Sequence, residues 1–360
     1  MKIQIREDFR RDGLFVNFLA DEELMVLVAR AFPGSILQVG YPAVCSREQE
    51  MCCNILKSLA NIDIEPALSG HAIREHIDLI GALVKPYPKA TANIWVPVSD
   101  YLIKRTLNRK PEEVLNHAIE LINYWHKTYS PNQIDIALTD STEKEEGLDL
   151  RVAYFAEQLH KAGARSVVIC DTKGQATPEQ LANIFKLIRK NNKGRIEFHP
   201  HNDNGLGIEN SIVAVEHGVS AVGTALFNSG ERFSMIDPRE LIISKLPINS
   251  KMKHLDQFES IYRKKTGFSP TKIKKQFKDH IFITGTQYRL FDCMTPANLL
   301  FGVTSDKYIL SRLLNINQEQ IKTSFMESLK NSLYGQQKIC FNENELISKL
   351  KYDLSEVKCL

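Results

Sequence analysis

"RIEFHPHNDNGLGIENSIVAVEHG", residues 195–218, reads as one strand running into one helix. In a strand, residues i and i+2 point to the same side. His199 and His201 therefore project together from the strand's end, as two neighbouring ligands should. After the glycines, "GIENSIVAVEHG" has helical length. The fold follows from whether this strand–helix unit is repeated.

It is. "KIQIRED" precedes "DEELMVLVARAF", where Asp21 is placed to cap the helix. "SILQVGY" precedes "SREQEMCCNILKSLA", "IDIEPALS" precedes "AIREHIDLIGALV", and "ANIWVPVS" precedes "PEEVLNHAIELINYWHKTY", with Pro111 near its first turn. "QIDIALTD", "SVVICDT" and "VSAVGTAL" open the remaining units. Eight such units over roughly 250 residues predict an α/β TIM (β/α)8 barrel. Near-continuous apolar strands such as "SVVIC" suit a parallel sheet buried on both faces. A doubly wound sheet is the competitor, but no glycine-rich dinucleotide fingerprint is present. The expected division is a catalytic barrel over 1–250 and a small, mostly helical C-terminal subdomain over 251–360. Within the latter, the basic stretch from Lys251 to His280 is read as helix packed beside the barrel.

Apolar content of 43%, charged content of 25% and a net charge of +3 over 360 residues are ordinary for a soluble globular protein. They give no reason to expect nucleic acid or a membrane as partner. "MKIQIREDFRRDG" lacks a signal peptide's apolar core, and no apolar run is long enough to cross a bilayer, so a cytoplasmic location is expected. The seven cysteines are scattered and form no C-x-x-C, which predicts reduced, mostly buried thiols.

In such barrels the working residues lie at the C-terminal ends of the strands. Those positions hold Arg11 and Asp12 after strand 1, Asp171 and Thr172 after strand 6, and His199 and His201 after strand 7. Two imidazoles and one carboxylate make a facial set for a divalent ion: zinc, manganese or iron, or magnesium with more waters. Arg11 would face developing oxyanion charge. The bland alternatives are surface histidines, a surface ion pair for Arg11 and a loop cap for Asp171. His71, His76, His117, His126, His160 and His217 are read as lying in helical stretches and are assigned no role.

"RRDG", "DTKGQATP", "HPHNDNGLGIENSIVAVEHG" and "SGER", in this order, resemble the DRE-TIM metallolyases. These comprise the 2-isopropylmalate, homocitrate and citramalate synthases and hydroxymethylglutaryl-CoA lyase. The resemblance spans roughly residues 3–250, and "GVTSDKYILSRLL" near 302 is similar to part of the synthases' linker. It implies a divalent metal ion (Zn, Mn or Mg) on Asp12, His199 and His201, with Arg11 catalytic. Asp171, Thr172, Asn93, Thr139, Asn202 and Glu231 would be substrate-binding. The implied reaction is a Claisen-type condensation of acetyl-CoA with a 2-oxo acid, in a homodimer. A carbon–carbon lyase or aldolase, or a small-acid-binding homologue without turnover, are the alternatives. The departures from the family pattern are specific. The family's D-T-T-L-R-D-G reads "EDFRRDG", with Glu7 first and Arg10 for leucine. Met235 replaces a metal-proximal asparagine, for which Asn228 is a nearby substitute. Gln38, Asn93, Ala137 and Thr139 replace a glutamate, a histidine, a serine and a glutamate, and Phe291 and Pro296 stand where linker histidines would be.

Overall fold

A computed structural model of the chain describes residues 3–13, 20–230, 232–266, 301–334, 340–341, 344–348 and 350. Eight strands close into a parallel barrel in chain order: β1 (Gln4–Glu7), β2 (Ile36–Gly40), β3 (Glu65–His71), β4 (Thr91–Pro97), β5 (Gln133–Thr139), β6 (Ser166–Asp171), β7 (Arg195–Pro200) and β8 (Ala221–Thr224). Closure is direct, since β1 pairs with β8 from Gln4↔Ala221 to Glu7↔Thr224. This is the TIM barrel that the repeated unit predicts.

The helices form where the sequence supplies starts and a one-sided apolar face. Around the barrel run α1 (Phe9–Gly13), α2 (Glu22–Ala31), α3 (Ser46–Leu59), α4 (Arg74–Val84), α5 (Asp100–Thr106), α6 (Pro111–Tyr129), α7 (Leu148–Lys161), α8 (Pro178–Asn191) and α9 (Gly207–Glu216). Asp21 caps α2 by accepting from Leu24 N–H, and Thr177 caps α8 just ahead of Pro178. None of the described helices is long and apolar enough to cross a membrane.

Three local features differ from the sequence reading. Phe9–Gly13 is a short helix, not a loop, so Arg11 and Asp12 sit on a fixed backbone. An extra helix, α5, fills the β4–α6 connection; Ser99 starts it by accepting from Leu102 N–H. And β3 runs on through His71, which is therefore a strand-end residue and not a helical one.

The barrel's lower interior is charged where layers of branched apolar side chains are usual. Arg6 reaches Asp135 (2.7 Å) and Glu197 (2.6 Å), and both acids are shared, with Arg165 and Arg195 respectively. Buried charges are tolerable only when paired and hydrogen-bonded. This lattice pairs each of those charges, although Arg6 Nη1 is buried without a partner, and it gives the barrel a polar floor.

Beyond β8 come α10 (Pro238–Ile243) and α11 (Met252–Thr266). Phe258 and Tyr262 of α11 pack edge-on to Phe9, centroids 5.3 and 5.8 Å away, inside the barrel's main core. A second apolar cluster joins Val44 and Cys45 to α12 (Lys307–Leu314) and α13 (Thr323–Leu333) through Ile309, Leu313, Met326 and Leu333. Cys45, Cys52 and Cys170 are buried free thiols, as expected, whereas Cys53 is exposed.

Candidate active site

A cleft of about 580 Å³ opens among the strand ends. Arg6 lies at its base, and Arg11, His199 and His201 form one side. Asn93, Trp95, Ala137, Thr139, Val168, Cys170 and Thr172 line it from β4, β5 and β6. Leu102 and His117 close it from α5 and α6, and Leu107 and Arg109 from the connection between them. Among the described lining residues the charged ones are all arginines, so the cleft suits an anionic ligand with an apolar body.

Strand β7 aims His199 and His201 together, ring centroids 5.2 Å apart. Burial, then the charges of Arg232, His199 and Arg11, push the His201 imidazole well below its ordinary value, so it stays neutral. The adjacent α1 presents Arg11 and Asp12, joined Nη1 to Oδ1 at 2.5 Å. Arg11 also contacts Asp8 Oδ1 at 3.1 Å, and Asp8 Oδ2 lies 3.5 Å from His199 Nδ1. Burial raises the Asp12 carboxyl, against the opposing pull of Arg11. For Asp8 burial acts the same way, but Arg11 and His199 outweigh it and the group is lowered. Gly230 permits this arrangement, because a Cβ there would stand 2.9 Å from Asp12 Oδ2.

Three buried polar atoms here, Asp8 Oδ2, Asp12 Oδ2 and His201 Nδ1, have no hydrogen-bond partner. Orphaned carboxylate oxygens beside imidazole nitrogens are the donor types a divalent cation takes. In kind, the residues fit such an ion. In geometry, no three His, Cys, Asp or Glu side chains among the described residues are already gathered in a metal-holding arrangement. The reason is visible: the Arg11 guanidinium sits on both carboxylates.

The residues expected to bind substrate divide by position. Asn93, Thr139 and Thr172 line the cleft. Asn93 Nδ2 donates to Ser69 Oγ (3.2 Å), which donates to Gln38 (3.0 Å), so Gln38 supports Asn93 from two strands away. Thr172 Oγ1 accepts from Asp140 N–H at 2.7 Å. Asp171 is instead spent on its loop, accepting from the Thr142 hydroxyl and the Gln175 and Ala176 N–H groups. Asn202 Oδ1 accepts from Gly207 N–H at the start of α9. Glu231, Phe291 and Pro296 lie outside the described residues. Asn228 is turned away, donating to Met235 O and Glu240.

The sequence reading passed over Asp8, Arg6, His71 and Trp95. Arg6 and Asp8 were findable, since Arg6 shares the face of Gln4 on β1 and Asp8, the residue just past its end, continues that alternation. The cleft ring cluster of His71 and Trp95, centroids 5.0 Å apart with Arg11 5.5 Å over Trp95, joins three separate elements and has no local signal.

Comparison with known proteins bears on the family and the fold. The HMGL-like family model matches residues 30–257. The chain is 28% identical over 234 residues to 2-isopropylmalate synthase 1 of Caldanaerobacter subterraneus subsp. tengcongensis, covering 64% of this chain and 57% of that protein. It is 25% identical over 305 residues to the 2-isopropylmalate synthase of Pyrococcus furiosus, covering 82% and 58%. The chain thus spans little more than half the length of these curated relatives. Among solved structures, HMG-CoA lyase from Brucella melitensis superposes with a TM-score of 0.59 at 15% identity, covering 73% of this chain and 98% of that one. The N-terminal domain of a putative aldolase from Bacteroides vulgatus gives 0.58 at 17% identity, covering 97% and 100%. These likenesses agree on the barrel, and the match over most of its strands shows that the chain belongs to the HMGL-like family.

Proposed function

We propose that the protein is a metal-dependent acyltransferase that condenses acetyl-CoA with a 2-oxo acid. The observation that carries this reading is the placement of Arg11, His199 and His201 on one side of a single cleft, with Asp12 bonded to Arg11 beside them. Asp12, His199 and His201 would hold the divalent ion. When bound, the ion supplies Lewis acidity to the ketone of the oxo acid.

The chain's own groups do the rest. Arg11, always protonated, faces the oxygen on which negative charge grows as the new carbon–carbon bond forms. Its orientation is fixed by Asp8, Asp12 and the Trp95 face. Asn93, Thr139 and Thr172 offer hydrogen-bonding groups to the acid. Trp95, Leu102 and Val168 receive its substituent and exclude water. Ala137 leaves room where a polar group would narrow the site. The relatives named 2-isopropylmalate synthase support the reaction class, and the altered lining supports a changed oxo acid.

The test is release of free thiol from acetyl-CoA across a panel of 2-oxo acids, with manganese, zinc or magnesium supplied. Release that needs both ion and acid supports the proposal. No release with any acid, together with acetyl-CoA or pyruvate formed from hydroxy-acid thioesters or 4-hydroxy-2-oxo acids, would assign the cleavage direction instead.

A further inference from the structure

We propose that Asp8 is a positioning residue: one carboxylate oxygen takes the Nδ1–H of His199, the other takes Arg11, and His199 is thereby held with Nε2 as its free lone pair. This deepens the function proposed above, because it concerns the same ion-holding edge of the cleft.

The geometry rests on four observations. First, Asp8 Oδ1 accepts from Arg11, Nε at 3.3 Å and Nη2 at 3.1 Å, which fixes one end of the carboxylate. Second, the other oxygen, Oδ2, lies 3.5 Å from His199 Nδ1 and accepts a hydrogen bond from no group, so it is free to close onto that nitrogen. Third, the backbone carrying Asp8 is locked to β8: Asp8 N–H donates to Thr224 O at 2.8 Å, and the preceding Glu7 carboxylate accepts from Thr224 Oγ1 (2.6 Å) and Leu226 N–H (2.9 Å). Fourth, the His199 ring lies against β8 where Gly223 leaves space; a Cβ there would be 3.3 Å from Nδ1. The carboxylate, from the end of β1, and the ring, from β7, are thus both held against β8.

The chemical consequence is a choice of tautomer. A neutral imidazole carries one N–H, and a carboxylate beside Nδ1 accepts that hydrogen and cannot donate one. Nε2 is left as the lone pair, which is what a cation needs. The D-T-T-L-R-D-G pattern has threonine at this place, whose hydroxyl carries no charge. A single residue here therefore ties the ligand histidine to the catalytic arginine.

The test uses the full chain, labelled with 15N. Long-range 1H–15N correlation near neutral pH reads the ring nitrogens of His199, assigned by difference from His199→Gln. The expected result is protonated Nδ1 and unprotonated Nε2 in the wild type, a changed tautomer population in Asp8→Thr, and retention of the wild-type tautomer in Asp8→Asn, whose amide oxygen still accepts. Calorimetry with manganese should show affinity weakened about 10–100-fold in Asp8→Thr. An Nε2–H tautomer in the wild type would overturn the proposal whether or not the variants fold. So would an Asp8→Thr protein with unchanged tautomer and unchanged manganese affinity. If the wild type binds no ion, the acyltransferase reading fails while the tautomer still decides the role of Asp8.

Discussion

Arg10 and Glu48 form a two-pronged ion pair, Nη1–Oε1 at 2.8 Å and Nη2–Oε2 at 2.7 Å, with both side chains sealed from solvent. Tyr334 completes it: its hydroxyl accepts from Arg10 Nη2 at 2.7 Å and donates to Glu48 Oε2. The triad fastens α1, which carries Arg11 and Asp12, to α3 and to the segment after α13.

Because the pair is buried, breaking it from one side strands a charge. Arg10→Leu, which restores the family's residue, should lower unfolding stability by about 3–5 kcal/mol in urea titrations. The double change Arg10→Leu with Glu48→Leu should recover much of that loss, since no uncompensated carboxylate remains. A single variant as stable as the wild type would show that the pair is not holding α1.

Glu7 gives a pH dependence of stated sign. Burial raises its carboxyl to about 8, against the opposing hydrogen bonds from Thr224, Leu226 and Phe9. A carboxyl raised in the folded state holds a proton there that the unfolded chain has released. Stability therefore falls as pH rises from its ordinary value near 4.5 to about 8, by up to about 1.4 kcal/mol per pH unit, and levels off above that. Glu7→Gln keeps the same contacts, with its amide donating to Thr224, and should flatten the curve. Unfolding free energies at pH 5, 7 and 9 for both proteins check this; parallel curves would refute it.

Arg11→Lys retains a charge but loses the planar fork that reaches Asp8 and Asp12 together. If Arg11 meets oxyanion charge, kcat for thiol release should fall about 10²–10³-fold with little change in KM. A change confined to KM would instead assign Arg11 to ground-state binding.

Ion binding should be visible as stability. Manganese at 100 times its dissociation constant should add about 2.7 kcal/mol to the wild type. His201→Ala removes a neutral imidazole and should abolish the increment. Equal stabilisation of both proteins would place the ion elsewhere.

Ala137→Leu pushes a larger side chain into the cleft beside Val168 and Cys170. KM for branched or aromatic 2-oxo acids should rise about tenfold, roughly 1.4 kcal/mol, while the smallest acids are spared. Steady-state comparison of pyruvate with a bulky homologue reads this directly.

The sequence by itself determined the barrel. Its strands and helices are declared by short-range patterns of apolar residues, caps and prolines, and β6, "SVVICD", is buried at every position as its composition implies. It also determined that Arg11, Asp12, His199 and His201 share one rim, because strand ends in a closed barrel meet by topology. What tertiary structure alone decided is which partner each polar group finds. Arg10 lies 38 residues from Glu48 and 324 from Tyr334, and Arg6 lies 129 and 191 residues from its two acids. Such pairings leave no periodic trace, because burial, not chain proximity, selects them. The same holds at the cleft: Asp171 and Asn202 stand at strand ends in sequence, yet nearby backbone N–H groups claim their side chains. Asp8, read only as part of a motif, becomes the link between Arg11 and His199 because β1 and β8 hold it there.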